Sequence, residues 1–355
     1  MKIGLLGLPL SGKTAFFNLL TGAGAATSAF AGARESHVGV ARVPDARVDF
    51  LSRLFQPRKT TYAQIEVLDI PGLTRDGGAA ALADPLRDAD ALVVVLRGFT
   101  NPAVGIGEEP AALRDLSKLM AELILTDLAV VEKRLERLAK GKKAGGVLPG
   151  EEEVLRRAQE ALEAEQPVVS LGLAPEERLP LRNYGLFTDK PFLIVLNTDE
   201  EGLRSGQAPG QAELAAYAAE RNLPLLVVCA ELEEEIEELP AAERAAFLAD
   251  LGVSEPGVAR LARAAYAHLD LISYFTVGSD EVKAWTIRRG TTARQAAGKI
   301  HSDLERGFIR AEVVSYEDME REKSFARLKE KGLLRLEGKD YVVADGDIMN
   351  FRFNV

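Results

Sequence analysis

The sequence is poor in cysteine, histidine and long apolar runs. Among 355 residues there is one cysteine, Cys229, which excludes an internal disulfide and suits a reducing compartment. Apolar runs such as residues 91–96 are far shorter than the ~20 residues that a membrane span needs. The three histidines, His37, His268 and His301, do not form a metal-binding or catalytic set. We therefore expect a cytoplasmic protein without a membrane partner.

Charge is unevenly distributed along the chain. The net charge of −10 argues against a general nucleic-acid coat, and no DNA specificity is expected. Residues 276–355 carry 15 Lys and Arg against 14 Asp and Glu, a net of +1, so residues 1–275 carry 29 against 40, a net of −11. The length favours two or three domains, and the charge difference indicates that the C-terminal region is one of them.

Short apolar runs alternate with helical patterns in the N-terminal part of the chain. Runs of four to six apolar residues are typical of strands that are buried on both faces of a parallel sheet. They lie at residues 3–6, 65–69, 91–96, 192–196 and 225–229. Helical stretches between them predict an α/β fold with a doubly wound, mainly parallel sheet.

The apolar period changes to a heptad-like pattern after residue 113. The stripe is formed by Ile124, Leu128, Val131, Leu135 and Leu138. A Gly/Lys-rich turn and a second charged helix at 151–166 follow, which predicts an antiparallel helical hairpin. We expect residues 105–175 to project from the α/β domain as an insertion, with a helix pair packed flat on the sheet as the alternative.

A glycine-rich motif follows the first predicted strand and opens a helix. Residues 7–14, GLPLSGKT, match G-x-x-x-x-G-K-[ST], whose main-chain N–H groups cradle phosphates. Lys13 is placed to reach the β- and γ-phosphate oxygens, and the Thr14 hydroxyl to ligate Mg²⁺. The residues predicted to contact the phosphates are Leu8, Pro9, Leu10, Ser11, Gly12, Lys13, Thr14 and Ala15.

A D-x-x-G motif follows the strand at 65–69. Asp69 is placed to hold Mg²⁺, and Gly72 can offer its N–H to the γ-phosphate, so Lys13 and Gly72 are the predicted catalytic residues. Leu73 stands where many such switch NTPases carry a glutamine that orients the attacking water. Because a leucine cannot hydrogen-bond that water, we predict slow intrinsic turnover.

Two segments are predicted to contact the base. Residues 197–200, NTDE, occupy the place of the guanine-reading N-K-x-D, with Thr198 for the lysine and Glu200 for the aspartate. The longer Glu200 side chain moves the carboxylate, so Asn197, Thr198 and Glu200 predict weaker guanine preference and ATP use, with retained GTP binding as the alternative. After the next strand, backbone N–H groups of Cys229, Ala230 and Glu231 are predicted to complete the base site.

The C-terminal region is predicted to form a small mixed α+β domain. Its β-type runs lie at 284–287, 311–314, 341–343 and 350–355. Seven basic residues lie within residues 283–310, near Trp285 and Phe308, a pattern that can grip RNA through phosphates and stacking. Acidic neighbours leave a mixed-charge surface as the equal alternative.

The assembled motifs resemble the YchF/Obg-like ATPase family, in the Obg branch of P-loop NTPases. The resemblance rests on GLPLSGKT at 7–14, DIPG at 69–72, NTDE at 197–200 and the C-terminal stretches 284–313 and 338–355. It implies an ATP-preferring, Mg²⁺-dependent hydrolase with a coiled-coil insertion, a β-grasp (TGS) domain and ribosome association. The implied domains are a P-loop NTPase domain at 1–272 and a TGS-like domain at 273–355.

Three features depart from the family pattern. Leu10 stands where the family has an asparagine that can ligate a monovalent cation, so potassium stimulation is not expected. Ala33 stands near the place of the first-switch threonine and offers no metal ligand. The second switch, at 73–84, is also shorter than in the family. Together these features predict weak hydrolysis.

Three functions fit this sequence. The first is an ATP-binding, slowly hydrolysing molecular switch whose partner, the ribosome or another RNP, is contacted through the hairpin and the TGS domain. The second is a GTPase of the same architecture. The third is a nucleotide-gated ribosome- or RNA-binding module with negligible hydrolysis, which Ala33 and Leu73 favour.

Overall fold

A computed structural model describes residues 1–24, 37–70, 84–101, 109–141, 148–253 and 255–354. The elements are numbered in chain order. The strands are β1 (Lys2–Leu6), β2 (His37–Arg42), β3 (Lys59–Thr61), β4 (Gln64–Asp69), β5 (Ala91–Gly98), β6 (Phe192–Thr198), β7 (Leu225–Val228), β8 (Leu271–Val277), β9 (Glu281–Arg288), β10 (Phe308–Val314), β11 (Arg335–Glu337) and β12 (Ile348–Phe353).

The α-helices include one long helix and many short ones. They are α1 (Lys13–Thr21), α2 (Ala46–Phe55), α3 (Asp84–Arg87), α4 (Ala112–Ala139), α5 (Glu151–Glu163), α6 (Pro175–Arg178), α7 (Glu200–Ser205), α8 (Gln211–Glu220), α9 (Ala230–Glu237), α10 (Ala241–Asp250), α11 (Gly257–His268), α12 (Ala293–Ile300), α13 (Ser302–Arg306), α14 (Tyr316–Glu322) and α15 (Phe325–Glu330). In the ranges described, none of them is both long and apolar enough to pass through a membrane.

The chain forms two compact units. The first comprises residues 1–41 and 66–260, and the second comprises residues 42–65 and 261–355. The first unit is built on a sheet in the order β2-β4-β1-β5-β6-β7. The pairs β4–β1, β1–β5, β5–β6 and β6–β7 are all parallel, and β5 and β6 are buried along their whole length. The predicted parallel sheet and its five strands are therefore confirmed.

The helical hairpin is confirmed, but α4 is divided between two cores. Leu116 and Leu123, in its N-terminal half, pack with the apolar side chains of the parallel sheet. Further along, Val131 packs with Val154 and Leu155 of α5 in a separate core. The N-terminal half of α4 therefore packs on the sheet, and its C-terminal half packs with α5. The projection of residues 105–175 stays a prediction.

One buried carboxylate joins α4 to the chain before β6. Asp127 is fully buried and accepts hydrogen bonds from the Phe187 N–H (3.0 Å), the Thr188 N–H (2.7 Å) and the Thr188 hydroxyl (2.7 Å). Burial raises the pKa of this carboxyl above its usual value, and the three donors oppose that rise. Because Asp127 and Thr188 are both fully buried, the carboxylate fixes where α4 meets this segment.

The second unit is built on a mixed sheet in the order β11-β10-β12-β8-β9-β3. The β12–β8 and β3–β9 pairs are parallel, whereas β8–β9, β10–β12 and β10–β11 are antiparallel. Ala293 and Ala296 of α12 pack on one face of the sheet against residues such as Tyr274. A mixed sheet with a helix across one face agrees with the predicted β-grasp fold.

The strand predictions for this unit were partly wrong. Residues 341–343 form no strand and make a single bridge, Thr292 with Val342. The strands β3, β8 and β11 were not predicted. β8 is as apolar as a strand of the parallel sheet, but it follows α11 so closely that the sequence gives no turn signal between them.

The domain boundaries also differ from the predicted ones, because residues 42–65 and 261–272 belong to the second unit. The apolar face of α2 explains the first difference, since Val48 and Leu51 share a core with Phe275. Arg47 strengthens the attachment through an ion pair with Asp345 at 3.0 Å. The predicted NTPase domain of residues 1–272 is therefore interrupted by a segment that packs elsewhere.

Candidate nucleotide-binding site

The glycine-rich loop joins the end of β1 to the first turn of α1, which begins at Lys13. At Gly7, a Cβ atom would lie 2.8 Å from the Val95 carbonyl oxygen. Gly12 has a φ of 80°, and a Cβ there would overlap the Nδ2 of Asn197. Neither position has room for a side chain, because the Val95 carbonyl approaches Gly7 and the Asn197 amide approaches Gly12. With glycine at both places, the main-chain N–H groups of the loop can face a ligand.

Two other loop residues carry unusual features. The Ser11 hydroxyl is buried and has no hydrogen-bond partner in the described part of the chain. A buried polar atom without a partner is costly, so a ligand oxygen at this place would satisfy it. Leu10 has a φ of 65°, in the left-handed region that side chains other than glycine and asparagine rarely adopt.

Leu10→Asn is expected to stabilise the protein by about 0.5–1 kcal/mol, because asparagine tolerates the left-handed conformation better than leucine. Leu10→Val should destabilise it, since a β-branched residue tolerates that conformation least. Urea unfolding of both variants tests this. A shift of both in the same direction would show that side-chain packing, rather than the backbone angle, decides the effect.

The predicted metal and phosphate residues come together around Asp69. Asp69 ends β4 and pairs in register with Leu5 of β1, the strand that leads into the loop. The Thr14 hydroxyl donates to Asp69 Oδ2 at 3.0 Å. The Lys13 ammonium donates to Asp69 Oδ1 and to the Ile70 carbonyl oxygen, and it is almost fully buried. Lys13 must leave these partners to reach a phosphate.

His37 joins this group although the sequence analysis placed it in no site. It is the first residue of β2, and its Nδ1 lies 3.6 Å from Asp69 Oδ2. The sequence signal was its position within residues 30–40, the stretch that corresponds to the first switch. The predicted residues Ala33, Gly72 and Leu73 lie outside the described residues.

Asn197 connects the phosphate loop to the second base segment. Its Nδ2 donates to the Ser11 carbonyl oxygen at 3.3 Å, and its Oδ1 accepts from the Ala230 N–H at 3.0 Å. This side chain is buried at the end of β6. One amide group thus holds together three segments that are far apart in the sequence.

The other two predicted base residues of this segment, Thr198 and Glu200, differ in burial and in their partners. The Thr198 hydroxyl is buried and donates to the Gly98 carbonyl oxygen at 3.1 Å, so it is turned toward β5. Glu200 is exposed in the first turn of α7 and forms an ion pair with Arg204 at 3.0 Å. Asp199 caps the same helix by accepting from the Gly202 N–H. Unlike Asp199, Glu200 therefore offers a carboxylate that is not used to cap the helix.

Residues 229–231 begin α9 at the end of β7. The Ala230 N–H is engaged by Asn197, so a base contact from this group stays a prediction. Burial raises the pKa of the Cys229 thiol to about 11, which keeps it protonated and unreactive at neutral pH. Glu231 is exposed.

The parallel sheet, the glycine-rich loop, the aspartate at the end of β4 and the Asn197 bridge define a P-loop NTPase. Comparison with known proteins agrees with this class. Residues 2–133 match a family model described as "50S ribosome-binding GTPase". Residues 271–354 match the YchF-GTPase_C model, described as "Protein of unknown function (DUF933)".

Full-length relatives narrow the assignment. The chain is 39% identical over 366 residues to the ribosome-binding ATPase YchF of Bacillus subtilis (strain 168), with 100% of both chains covered. It is 33% identical over 368 residues to the protein of the same name from Mycoplasma genitalium, with 100% of both chains covered. The fold is similar to that of the Schizosaccharomyces pombe YchF GTPase, with a TM-score of 0.86 and 27% identity over 99% of this chain and 97% of that chain. The chain belongs to the YchF family.

Proposed function

We propose that this protein is an ATP-binding, slowly hydrolysing molecular switch that acts on the ribosome. The observation that carries the proposal is the Asn197 amide, which lies between the phosphate loop and α9 and so sets the NTDE segment beside the loop. A nucleotide that binds the loop with its phosphates would then bring its base to Glu200.

The base segment favours ATP over GTP. The names of the relatives include both ATPase and GTPase, so the choice depends on this chain's own residues. Guanine is read by an aspartate that accepts two hydrogen bonds, whereas Glu200 is longer and is held by Arg204. Thr198 is turned toward β5 and replaces the lysine that lies along a guanine. A lost polar pair costs about 1–3 kcal/mol, which is enough to change preference.

The proposed phosphate and metal roles follow the geometry around Asp69. Residues 8–15 would bind the phosphates, with Lys13 on the β- and γ-phosphate oxygens and Gly72 as a γ-phosphate donor. Thr14 and Asp69 would hold Mg²⁺, because the Thr14 hydroxyl and Asp69 Oδ2 lie 3.0 Å apart and both are oxygen ligands of the kind that Mg²⁺ prefers. When bound, Mg²⁺ neutralises charge on the phosphate oxygens.

The protein supplies only part of such a metal shell. In the ranges that the structure covers, no three His, Cys, Asp or Glu residues gather where they could hold a metal ion by themselves. Nucleotide phosphates and water would supply the remaining ligands, as is usual for Mg²⁺. Metal binding is therefore expected to depend on the nucleotide.

Slow hydrolysis follows from two side chains. Leu73 has no group that can orient a water molecule, and Ala33 has no metal ligand. A partner would then supply the group that orients the water molecule and the missing metal ligand. The ribosome is the proposed partner, contacted through the hairpin of α4 and α5 and through the second unit, since relatives of the same length are named ribosome-binding ATPases.

Calorimetric titration with ATP and with GTP, followed by single-turnover phosphate release with and without ribosomes, tests this function. We expect tighter binding of ATP and release that is slow alone and faster with ribosomes. Tighter binding of GTP than of ATP would contradict the proposed preference for ATP. No release under any condition would leave a binding module that hydrolyses nothing.

Glu200→Asp is expected to shift the ratio of GTP to ATP affinity toward GTP by about tenfold, because the shorter carboxylate approaches the position that reads guanine. Competition between the two nucleotides measures the ratio. Glu201→Asp, the same change at the next exposed position of α7, is the matched control and should leave the ratio unchanged. If the ratio of GTP to ATP affinity were the same in both variants, Glu200 would not contact the base.

A further inference from the structure

A cleft of about 590 Å³ opens on the second unit between α2 and the chain around β3. One face of α2 contributes Asp49, Ser52 and Arg53, while Arg42, Thr60 and Tyr62 lie across from them. A volume of this size suits a group as large as one nucleotide, and it is too small for a duplex.

Arg42 and Tyr62 form a stacked pair in the cleft. The guanidinium carbon of Arg42 lies 3.4 Å from the centroid of the Tyr62 ring. The Tyr62 hydroxyl donates to Asp49, and burial, together with this bond, raises the pKa of Tyr62, so the ring is held in place and stays neutral. Arginine planes and aromatic rings are the platforms on which unpaired bases stack.

The segment is basic on an acidic chain. Residues 42–65 carry five Lys and Arg against two Asp, a net of +3. The whole second unit carries 21 against 17, a net of +4, which leaves 23 against 37, a net of −14, for the first unit. Dividing the chain at the structural units therefore separates charge more sharply than dividing it at residue 276.

The two arginines of the cleft are available to a ligand. Arg58 and Lys59 lie beside Asp280 and Glu281, at 3.5 and 3.4 Å. Arg42 and Arg53 are exposed, and no carboxylate of the described residues lies within ion-pair distance of either. Two arginines without a carboxylate partner, one of them stacked on Tyr62, suit a phosphate that is joined to a base.

We propose that this cleft binds one nucleotide of a single-stranded RNA segment, with the phosphate on Arg42 and Arg53 and the base stacked on the Arg42–Tyr62 pair. This deepens the proposed function, since RNA would be the part of the ribosome that the second unit contacts. RNA is favoured over an acidic peptide because a base can stack on the Arg42–Tyr62 pair and donate its exocyclic amine to Asp49, whereas an acidic side chain does neither.

The test is fluorescence anisotropy of the full-length protein with a labelled single-stranded RNA of about 12 nucleotides. Arg42→Gln combined with Arg53→Gln should weaken binding at least tenfold. It should also lower the slope of log affinity against log salt by about 0.7, because one phosphate of the single strand is no longer neutralised. Arg42→Lys should keep the slope but weaken binding several-fold, because it retains the charge and loses the plane that stacks.

A matched control removes the same charge elsewhere in the second unit. Arg327→Gln with Lys329→Gln, at exposed positions of α15, should change the affinity less than twofold. An equal loss in this control, an unchanged affinity in the cleft variant, no RNA binding by the wild type, or tighter binding of a poly-glutamate peptide than of RNA would each overturn the proposal.

ATP affinity and ATP hydrolysis are measured on the same samples. We expect both to be unchanged in the cleft variants, because the cleft residues belong to the second unit, whereas residues 7–14 and 197–200 belong to the first. Loss of RNA binding with intact ATP binding confirms that the cleft binds RNA. If the wild-type protein bound RNA through the cleft but bound no ATP, the proposed function would be contradicted. The proposal that the cleft binds RNA would still hold.

Discussion

Replacing Lys13 by alanine is expected to weaken ATP binding at least tenfold, which is about 1.4 kcal/mol. The ammonium lies at the start of α1, within reach of any phosphate in the loop, and among the described residues it donates to Asp69 and to the Ile70 carbonyl oxygen. Isothermal calorimetry with ATP and Mg²⁺ measures the loss. An unchanged affinity would contradict the phosphate contact assigned to Lys13.

The control for this variant is Lys2→Ala. Lys2 lies on β1 and forms an ion pair with Glu66 of β4 at 3.1 Å, so the substitution removes another pair between a lysine and a carboxylate of β4 without touching the loop. It should leave ATP affinity unchanged. Because Lys13→Ala also leaves the buried Asp69 without its cation, urea unfolding of both variants is needed to separate loss of fold from loss of binding.

Replacing Asp127 by alanine is expected to destabilise the first unit by about 3 kcal/mol. The substitution leaves the N–H groups of Phe187 and Thr188 and the Thr188 hydroxyl buried without an acceptor. For a unit of this size, that loss lowers the midpoint of thermal unfolding by roughly 6–12 °C. Differential scanning calorimetry measures the shift.

Glu132→Ala is the matched control, because it removes an exposed carboxylate from the same helix, α4. Surface substitutions of this kind change stability by less than about 0.5 kcal/mol. If the two variants unfolded at the same temperature, Asp127 would not be the group that fixes α4 to the chain before β6.

The parallel sheet could be predicted from the sequence because each of its strands is a continuous apolar run. Residues 91–96 and 192–196 are buried on both faces, and no other local structure suits such short runs between helices. The place of α2 could not be predicted in the same way. Its pattern shows that Val48 and Leu51 are buried, but not that their partner is Phe275, more than 200 residues away.

The site was predictable where a motif fixes the backbone. The loop at 7–14, Asp69 and Asn197 come together as expected, because each follows a strand of one parallel sheet and those strands end at the same edge. Side-chain directions were not predictable. Thr198 turns toward Gly98, the Ala230 N–H is engaged by Asn197, and His37 reaches Asp69 from a strand that the apolar pattern did not reveal.

A crystal structure of the protein with a non-hydrolysable ATP analogue and Mg²⁺ tests the central claim most directly. The account predicts that main-chain N–H groups of residues 10–14 surround the β-phosphate, that the Lys13 ammonium leaves Asp69 for the phosphate oxygens, and that the base lies beside Asn197 and Glu200. A loop that holds no phosphate at saturating analogue, with Lys13 still on Asp69, would contradict it.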